Sequence, residues 1–451
     1  MKIAKFGGSS VATASQIKKV CDIIISDPER RLVVVSAPGK SCDEDTKVTD
    51  LLIACANAYL ANENVEREIN AVFTRYQEIA HGLNLSNGII NEIAKDLHMR
   101  LQSNADNPGR LVDALKASGE DNCAKLIAAY LRSIDVDATY IDPKEAGMLL
   151  SDEYGNARLL PESYTKLKKL KDKSGIMIFP GFFGYTPDGT LVTFSRGGSD
   201  ITGSILAAAV DASLYENFTD VDSVFVANPK VVSNPKAIPN VTYREMRELA
   251  YAGFTVLHEE TLVPVYKAGI PVCIKNTNNP SAPGTLITKQ HKAVNSPVTG
   301  IACDSGFCSI NVRKFLMNRE IGFGRKILQI LEDEGISYEH SPSGIDDMSI
   351  VLKQKQLRAG TEERILKRIQ DELDVDDVYI EYDLALIIIV GEGMFHRVGV
   401  AATATSAIAN AGISLEMINQ GSSEISMMFA VKADNSDDSV RAIYQAFFEK
   451  H

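Results

Sequence analysis

The chain has 451 residues, 47 of them basic and 59 acidic, for a net charge of −12. Its length corresponds to roughly two to four domains. With 45% hydrophobic and 24% charged residues it is not a disordered chain, a coiled coil or a collagen-like fibre, and its acidic balance speaks against nonspecific nucleic-acid binding.

In chain order, residues 3–6 form a short strand, and residues 15–25 place Ile17, Val20, Cys21 and Ile24 on one helical face. The continuous β-branched run at 32–36 reads as a buried parallel strand. Helical patterns follow at 49–60, 64–81, 88–101 and 119–133, then a strand at 138–141. Strands at 176–180 and 190–194, a helix at 199–210 and a strand at 213–217 come next. Helices at 242–252 and 258–268 and a strand at 272–275 close this part. The strand-helix alternation predicts a layered α/β domain over 1–290 with a largely parallel sheet. The polar stretch 289–297 reads as a linker.

Beyond the linker a repeat appears. Gly335-Ile336-Ser337-x-Glu339 recurs as Gly412-Ile413-Ser414-x-Glu416, and the same offset of 77 residues pairs Gly322 with Gly399, Gly344 with Gly421 and Ser349 with Ser426. Each copy predicts strand, glycine loop, helix, Gly-Ile-Ser, strand, turn, strand, with helices at 324–333 and 398–410. A paired small-ligand module fits two copies better than a solenoid does. No run of about 18 apolar residues offers a transmembrane helix. The N-terminus runs into a glycine turn without a signal-peptide core, so neither a membrane nor export is expected. The seven cysteines form no CxxC pair, which predicts reduced thiols in the cytoplasm and no zinc site.

Four stretches could carry chemistry. Lys5-Phe6-Gly7-Gly8-Ser9-Ser10 joins a strand to a helix, where glycines admit a ligand to the backbone and a helix start favours anions. It matches neither a Walker loop nor a Rossmann fingerprint, and a plain tight turn is the competing reading. Ser195-Arg196-Gly197-Gly198-Ser199-Asp200 repeats the design, and the Arg196 fork suits a carboxylate. Asp200 otherwise reads as a residue complementing the helix dipole. Thr219-Asp220-Val221-Asp222 follows a strand and suits a ribose or a magnesium ion, or is only a solvated turn. Ser118-Gly119-Glu120 opens a predicted helix, where Glu120 meets an ammonium group or merely stabilises the helix start.

These stretches, with Val256-Leu257-His258 and Asn276-Thr277-Asn278-Asn279-Pro280, together resemble the aspartokinases, in order and over essentially the whole chain. The resemblance implies an α/β three-layer amino acid kinase domain followed by two ferredoxin-like ACT modules, at 298–375 and 376–451. It also implies the monofunctional type, since the homoserine dehydrogenase extension is absent. The activity implied is ATP-dependent phosphorylation of the β-carboxylate of L-aspartate, with Mg²⁺ carried on the ATP phosphates and no metal site of the protein's own. This is the first step toward lysine, threonine and methionine. Lys5 and Asp200 match catalytic positions, and Lys5, Gly7, Gly8, Ser9, Thr219, Asp220, Phe225 and Lys230 match the ATP site. Ser36, Thr49, Glu120 and Arg196 match positions around aspartate.

Two departures stand out. Phe225 and Lys230 replace the family's frequent Tyr and Arg, and Thr255 stands where a phosphate-binding lysine is usual. The alternatives are another enzyme of the same fold, or an amino-acid sensor weak in catalysis. Met317, Phe323, Gly324, Ser337, Tyr338 and Glu339 match the effector wall of lysine-inhibited members, so lysine is the implied effector. A homodimer or homotetramer formed through the modules is the implied assembly. The chemistry needs no general base, because a carboxylate is already ionised at neutral pH. The enzyme's work is positioning and charge neutralisation.

Overall fold

The computed structural model describes residues 1–103, 107–195, 197–254, 256–257, 259–290, 296–421 and 423–449. The chain divides into two compact units. One comprises 1–224, 237–250 and the described part of 255–292; the other takes 225–236, 251–254 and the described residues beyond.

The first unit is built on strands β1 (Lys2–Phe6), β2 (Arg30–Val35), β3 (Ala138–Tyr140), β4 (Ile176–Pro180), a β5 (Phe183–Tyr185) and β6 (Leu191–Thr193) hairpin, β7 (Leu214–Thr219), β8 (Asn240–Thr242), β9 (Val272–Asn276) and β10 (Thr285–Thr288). All but the hairpin form one sheet in the order β3-β4-β2-β1-β7-β9-β10-β8, parallel except where β9 meets β10. Its helices are α1 (Ala14–Ile25), α2 (Val48–Leu60), α3 (Glu66–Gly82), α4 (Asn87–Ser103), α5 (Pro108–Ser133), α6 (Pro143–Ala146), α7 (Glu162–Leu167), α8 (Gly198–Ala209), α9 (Tyr243–Tyr251) and α10 (Leu262–Ala268). Side chains alternate across a strand. Ala4 and Phe6 of β1, with Val33 and Val35 of β2, enter one core with α1, α3, α4 and α5. The same alternation turns Lys5 to the opposite face, which α8 covers.

The expected helix at 119–133 is the second half of α5, a single helix of 26 residues. It begins earlier because Asn107 accepts a cap hydrogen bond from the Arg110 amide at 3.1 Å and Pro108 occupies the first turn. Gly119 is therefore a mid-helix glycine. A Cβ there would lie 2.8 Å from the Ala37 Cβ, so glycine lets α5 approach the segment after β2. The helix expected from 258 becomes an α-helix only at Leu262.

The second unit carries an antiparallel sheet of β11 (Gly300–Arg313), β12 (Asp347–Lys353), β13 (Asp377–Val390), β14 (Met417–Gln420) and β15 (Ser426–Lys432), in the order β12-β11-β13-β15-β14. Helices α11 (Phe323–Asp333) and α12 (Thr361–Leu373) cover its first half, with α13 (Val400–Asn410) and α14 (Ser436–Tyr444) in its second. Strands β11 and β13, each 14 residues long, pair from Gly300 against Val390 to Arg313 against Asp377. The far half of β11 also pairs with β12, and the far half of β13 with β15. The two repeats are therefore not consecutive beads: they share two long strands.

The paired glycines mark equivalent places. Gly322 and Gly399 cap α11 and α13 with φ of 80° and 93°, and Gly335 and Gly412 follow the same helices with φ of 69° and 74°. The strand expected after Gly335-Ile336-Ser337 is reduced to bridges of His340 with Val351 and Ser343 with Met348, while the second copy forms β14. Pro342 lies between those bridges and offers no N–H to a ladder. No helix among the described residues is long and apolar enough to cross a membrane.

Candidate active site

The carboxyl ends of parallel strands are the usual place for ligands in open α/β sheets. Here the ends of β1, β2 and β7 border a cleft of about 1230 Å³. Lys5, Gly8, Ser9, Ser36, Thr49, Glu120, Asp200 and Asp220 all line it. Sequence reasoning had drawn these eight from segments far apart in the chain, and the topology brings them together.

Lys5 is 7% exposed, and its Nζ lies 2.5 Å from Asp200 Oδ1. Asn217 of β7 donates to the same oxygen at 2.9 Å. One ion pair thus ties the glycine turn after β1 to the turn opening α8. Gly7 donates its amide to the Phe218 carbonyl at 3.1 Å, and a short 3-10 turn, Gly8–Val11, precedes α1. The Gly39 amide donates to the Gly8 carbonyl at 2.8 Å, and a Cβ on Gly39 would meet Gly8 backbone at 2.7 Å. The turn after β1 and the loop after β2 consequently touch backbone to backbone. Gly197 enters α8 with φ of 76°. A Cβ on Gly198 would meet the Phe182 ring at 2.5 Å.

Glu120 projects from the middle of α5. It is buried, and its Oε2 has no hydrogen-bond partner within the protein. Burial pushes its carboxyl up to about 7, opposed by the Ala37 and Glu120 backbone, the Lys116 charge and the Ser199 hydroxyl. Tyr76 of α3 anchors this turn of the helix by donating to the Gly119 carbonyl at 2.6 Å. A buried carboxylate with one spare oxygen at a cleft wall can receive a cation.

Thr219 ends β7, and its hydroxyl lies 3.1 Å from Asp220 Oδ1. Asp222 accepts from Asn276 at 2.7 Å and Asn279 at 3.2 Å, which gives those asparagines a structural task. Phe225 and Lys230 fall in the segment 225–236 that clusters with the second unit. Within that unit Ile301 donates to Val226, Arg441 to the Val231 carbonyl and Lys236 to the Tyr444 hydroxyl. Arg196, Thr255 and His258 lie outside the described residues.

The six residues matched to an effector wall differ in burial and in partners. Met317 and Phe323 are core side chains of the first module. Gly324 is the second residue of α11 and lies beside Met348. The amide and hydroxyl of Ser337 are both engaged with Gln356 at 3.0 Å. Tyr338 is exposed, and the Glu339 carboxylate accepts a hydrogen bond from the Tyr251 hydroxyl. Sequence reasoning missed Lys116, Phe182 and Gly39 in the cleft. Phe182 has φ of 77°, rare for so bulky a residue and without a sequence signal, whereas Pro38-Gly39 did carry a turn signal.

The amino acid kinase family model matches residues 1–276, and an ACT domain model matches residues 387–447. Aspartokinase 3 of Bacillus subtilis is 57% identical over 99% of both chains. The aspartate kinase structure of Clostridium acetobutylicum superposes with a TM-score of 0.87 at 39% identity, covering 99% of this chain and 100% of that one. Aspartokinase III of E. coli in complex with aspartate and ADP matches with a TM-score of 0.80 at 26% identity, over 99% and 100% of the two chains. Its complex with lysine and aspartate matches at 0.76 and 25% identity, over 99% of both chains.

Proposed function

Because the chain belongs to the aspartokinase family, we propose that it transfers the γ-phosphoryl group of ATP to the β-carboxylate of L-aspartate. A carboxylate oxygen forms the new bond to phosphorus while the bond to the ADP oxygen breaks, and the product is an acyl phosphate. The observation that carries this reading is the Lys5–Asp200 pair joining two glycine turns in the cleft that Glu120 also lines. Lys5 neutralises charge on the transferring group as two anions meet. The spare oxygen of Glu120 receives the ammonium of aspartate, and Ser36 and Thr49 offer hydroxyls along the same wall. The backbone of Gly8 and Ser9, which line the cleft, cradles phosphate, and Gly7 is assigned beside them on family resemblance.

Mg²⁺ is a hard ion that prefers carboxylate and phosphate oxygens. Asp200 and Asp220 are carboxylates in the cleft suited to hold it on the nucleotide. When bound, it supplies charge neutralisation at the phosphates. Thr219, Phe225 and Lys230 complete the ATP assignment, and Arg196 the aspartate assignment, on family resemblance. Residues 1–290 serve catalysis, and 298–375 and 376–451 are effector modules that share β11 and β13. Lysine is the effector we assign, with Glu339 as partner of its side-chain ammonium; Met317, Phe323, Gly324, Ser337 and Tyr338 are assigned to the same module site on family resemblance.

Exposed Phe315, Leu316, Ile321 and Ile345 lie in the first module, where the Asn318 amide donates to the Ile345 carbonyl and joins their loops. An apolar cluster of this kind supports pairing of two copies through the modules. The seven free thiols suit a cytoplasmic setting. The deciding experiment is hydroxamate formation with ATP, Mg²⁺ and hydroxylamine. Product with L-aspartate and none with L-glutamate is expected, and the reverse overturns the substrate. No product with any amino acid overturns the kinase reading.

A further inference from the structure

We propose that Lys116 is a substrate-positioning residue that contacts the α-carboxylate of the amino acid, an inference that rests on the aspartate reading above. Lys116 stands on α5 one turn before Glu120, and both line the cleft. Residues four apart on a helix are neighbours on one face. An α-amino acid carries its ammonium and carboxylate on one carbon, so a cation beside the ammonium's receptor is placed for the carboxylate.

The surroundings leave Lys116 available for a ligand. Its nearest carboxylate, Asp113, is 1% exposed and already accepts from the Thr193 amide at 2.8 Å, the Thr193 hydroxyl at 2.9 Å and the Gly155 amide at 2.8 Å. Lys116 Nζ stays 3.7 Å from Asp113 Oδ1, beyond a good hydrogen bond, and reaches the Thr193 hydroxyl only at 3.4 Å. It also lies 5.0 Å from the Phe182 ring centroid, which fixes the ammonium over an aromatic face at the cleft wall. Asp113 thus orients Lys116 without using up its donors. The side chain is 16% exposed, so its charge acts in a partly desolvated place.

The test compares substrates that differ only at the α-carboxylate. Wild type, Lys116→Met and Lys116→Arg are assayed by ADP release with L-aspartate and with its α-amide, which keeps the ammonium and the β-carboxylate. Lys116→Met is expected to lower kcat/KM for L-aspartate about tenfold or more, through KM, with the KM for ATP unchanged. For the α-amide the same substitution should change kcat/KM less than about threefold, and Lys116→Arg should restore most of the loss on aspartate. Equal losses on both substrates overturn the assignment and leave Lys116 acting on the fold or on Glu120. If wild type does not turn the α-amide over, its inhibition constant against aspartate is read instead, with the same expectation. Wild type without aspartate-dependent ADP release sinks the aspartate reading and this inference together, whereas turnover with equal losses sinks only this one.

Discussion

The cleft and the first regulatory module differ in how sequence becomes a site. The cleft takes side chains from Lys5 to Asp220 and gathers them at the ends of parallel strands. The residues matched to the effector wall lie between Met317 and Glu339, yet they divide between core and surface. Closeness in sequence therefore says little about which side chains stay open to a ligand, and topology decides. A parallel sheet points every strand's carboxyl end the same way, so distant loops meet without further instruction. In the module, amphipathic α11 turns Phe323 inward with Ile327 and Ile330, and the helix places these side chains before any ligand does.

The sharpest way to break this contrast is Lys5→Ala. If convergence at the cleft carries the chemistry, turnover falls about 10²–10³-fold, the usual loss for a group that stabilises transferring charge. Far-UV circular dichroism should be unchanged. A variant with near-normal turnover would remove Lys5 from the chemistry, and with it the significance of its pair with Asp200.

Glu120→Gln is expected to have the next largest effect, raising the KM for aspartate about tenfold or more while leaving that for ATP within a factor of about two. A pH series sharpens the point. Burial holds Glu120 up to about 7 against an ordinary 4.5, so the empty enzyme takes up a proton as pH falls through about 7. The ammonium of aspartate needs the ionised form, so the wild-type KM for aspartate should climb as pH drops from 8 to 6, and that of the Gln variant should stay flat. Stability follows the opposite sense. A carboxyl raised by folding contributes stability that is full below its unfolded value and is lost as pH rises through its folded value. The Tm of the Gln variant should therefore gain on wild type between pH 5 and pH 8. Parallel Tm curves would show that Glu120 ionises without penalty.

Glu120 also shows what the sequence could and could not reveal. The ammonium assignment of Glu120 rests on Ser118-Gly119-Glu120, a segment whose glycine suggests a helix start where the structure has mid-helix. In the structure Gly119 answers to the nearness of Ala37, a contact between residues more than eighty apart. Lys116 carries no local signal for the same reason, since a helix beginning at 119 leaves 116 outside it. Local signals were legible where local geometry demanded them. Gly322, Gly335, Gly399 and Gly412 all need positive φ, and they betrayed the repeat. The sharing of β11 and β13 was hidden, because no local pattern says which strand a 14-residue run will pair with along its length. The same holds for the segment 225–236, whose partners lie on β11 and α14.

The smallest expected effect tests the module side of the contrast. Glu339 is assigned to the lysine ammonium, yet its carboxylate accepts the Tyr251 hydroxyl, and the Tyr251 and His340 rings meet edge to face at 6.4 Å. A phenol donating to Oε2 draws charge from the carboxylate and so weakens its hold on an ammonium, even one at Oε1. On that assignment Tyr251 opposes the effector, and a hydrogen bond of net value about 0.5–1.5 kcal/mol corresponds to roughly two- to tenfold in affinity. Tyr251→Phe removes the hydroxyl and keeps the ring, so half-inhibition should need about two- to tenfold less lysine, with turnover in its absence unchanged. Glu339→Ala should abolish lysine inhibition and leave the same basal rate. Weaker inhibition in the Phe variant would mean that Tyr251 transmits the effector's binding and does not oppose it. Unaltered inhibition in both variants would move the effector away from Glu339, leaving the module with a ligand place that neither its repeat nor its fold has marked.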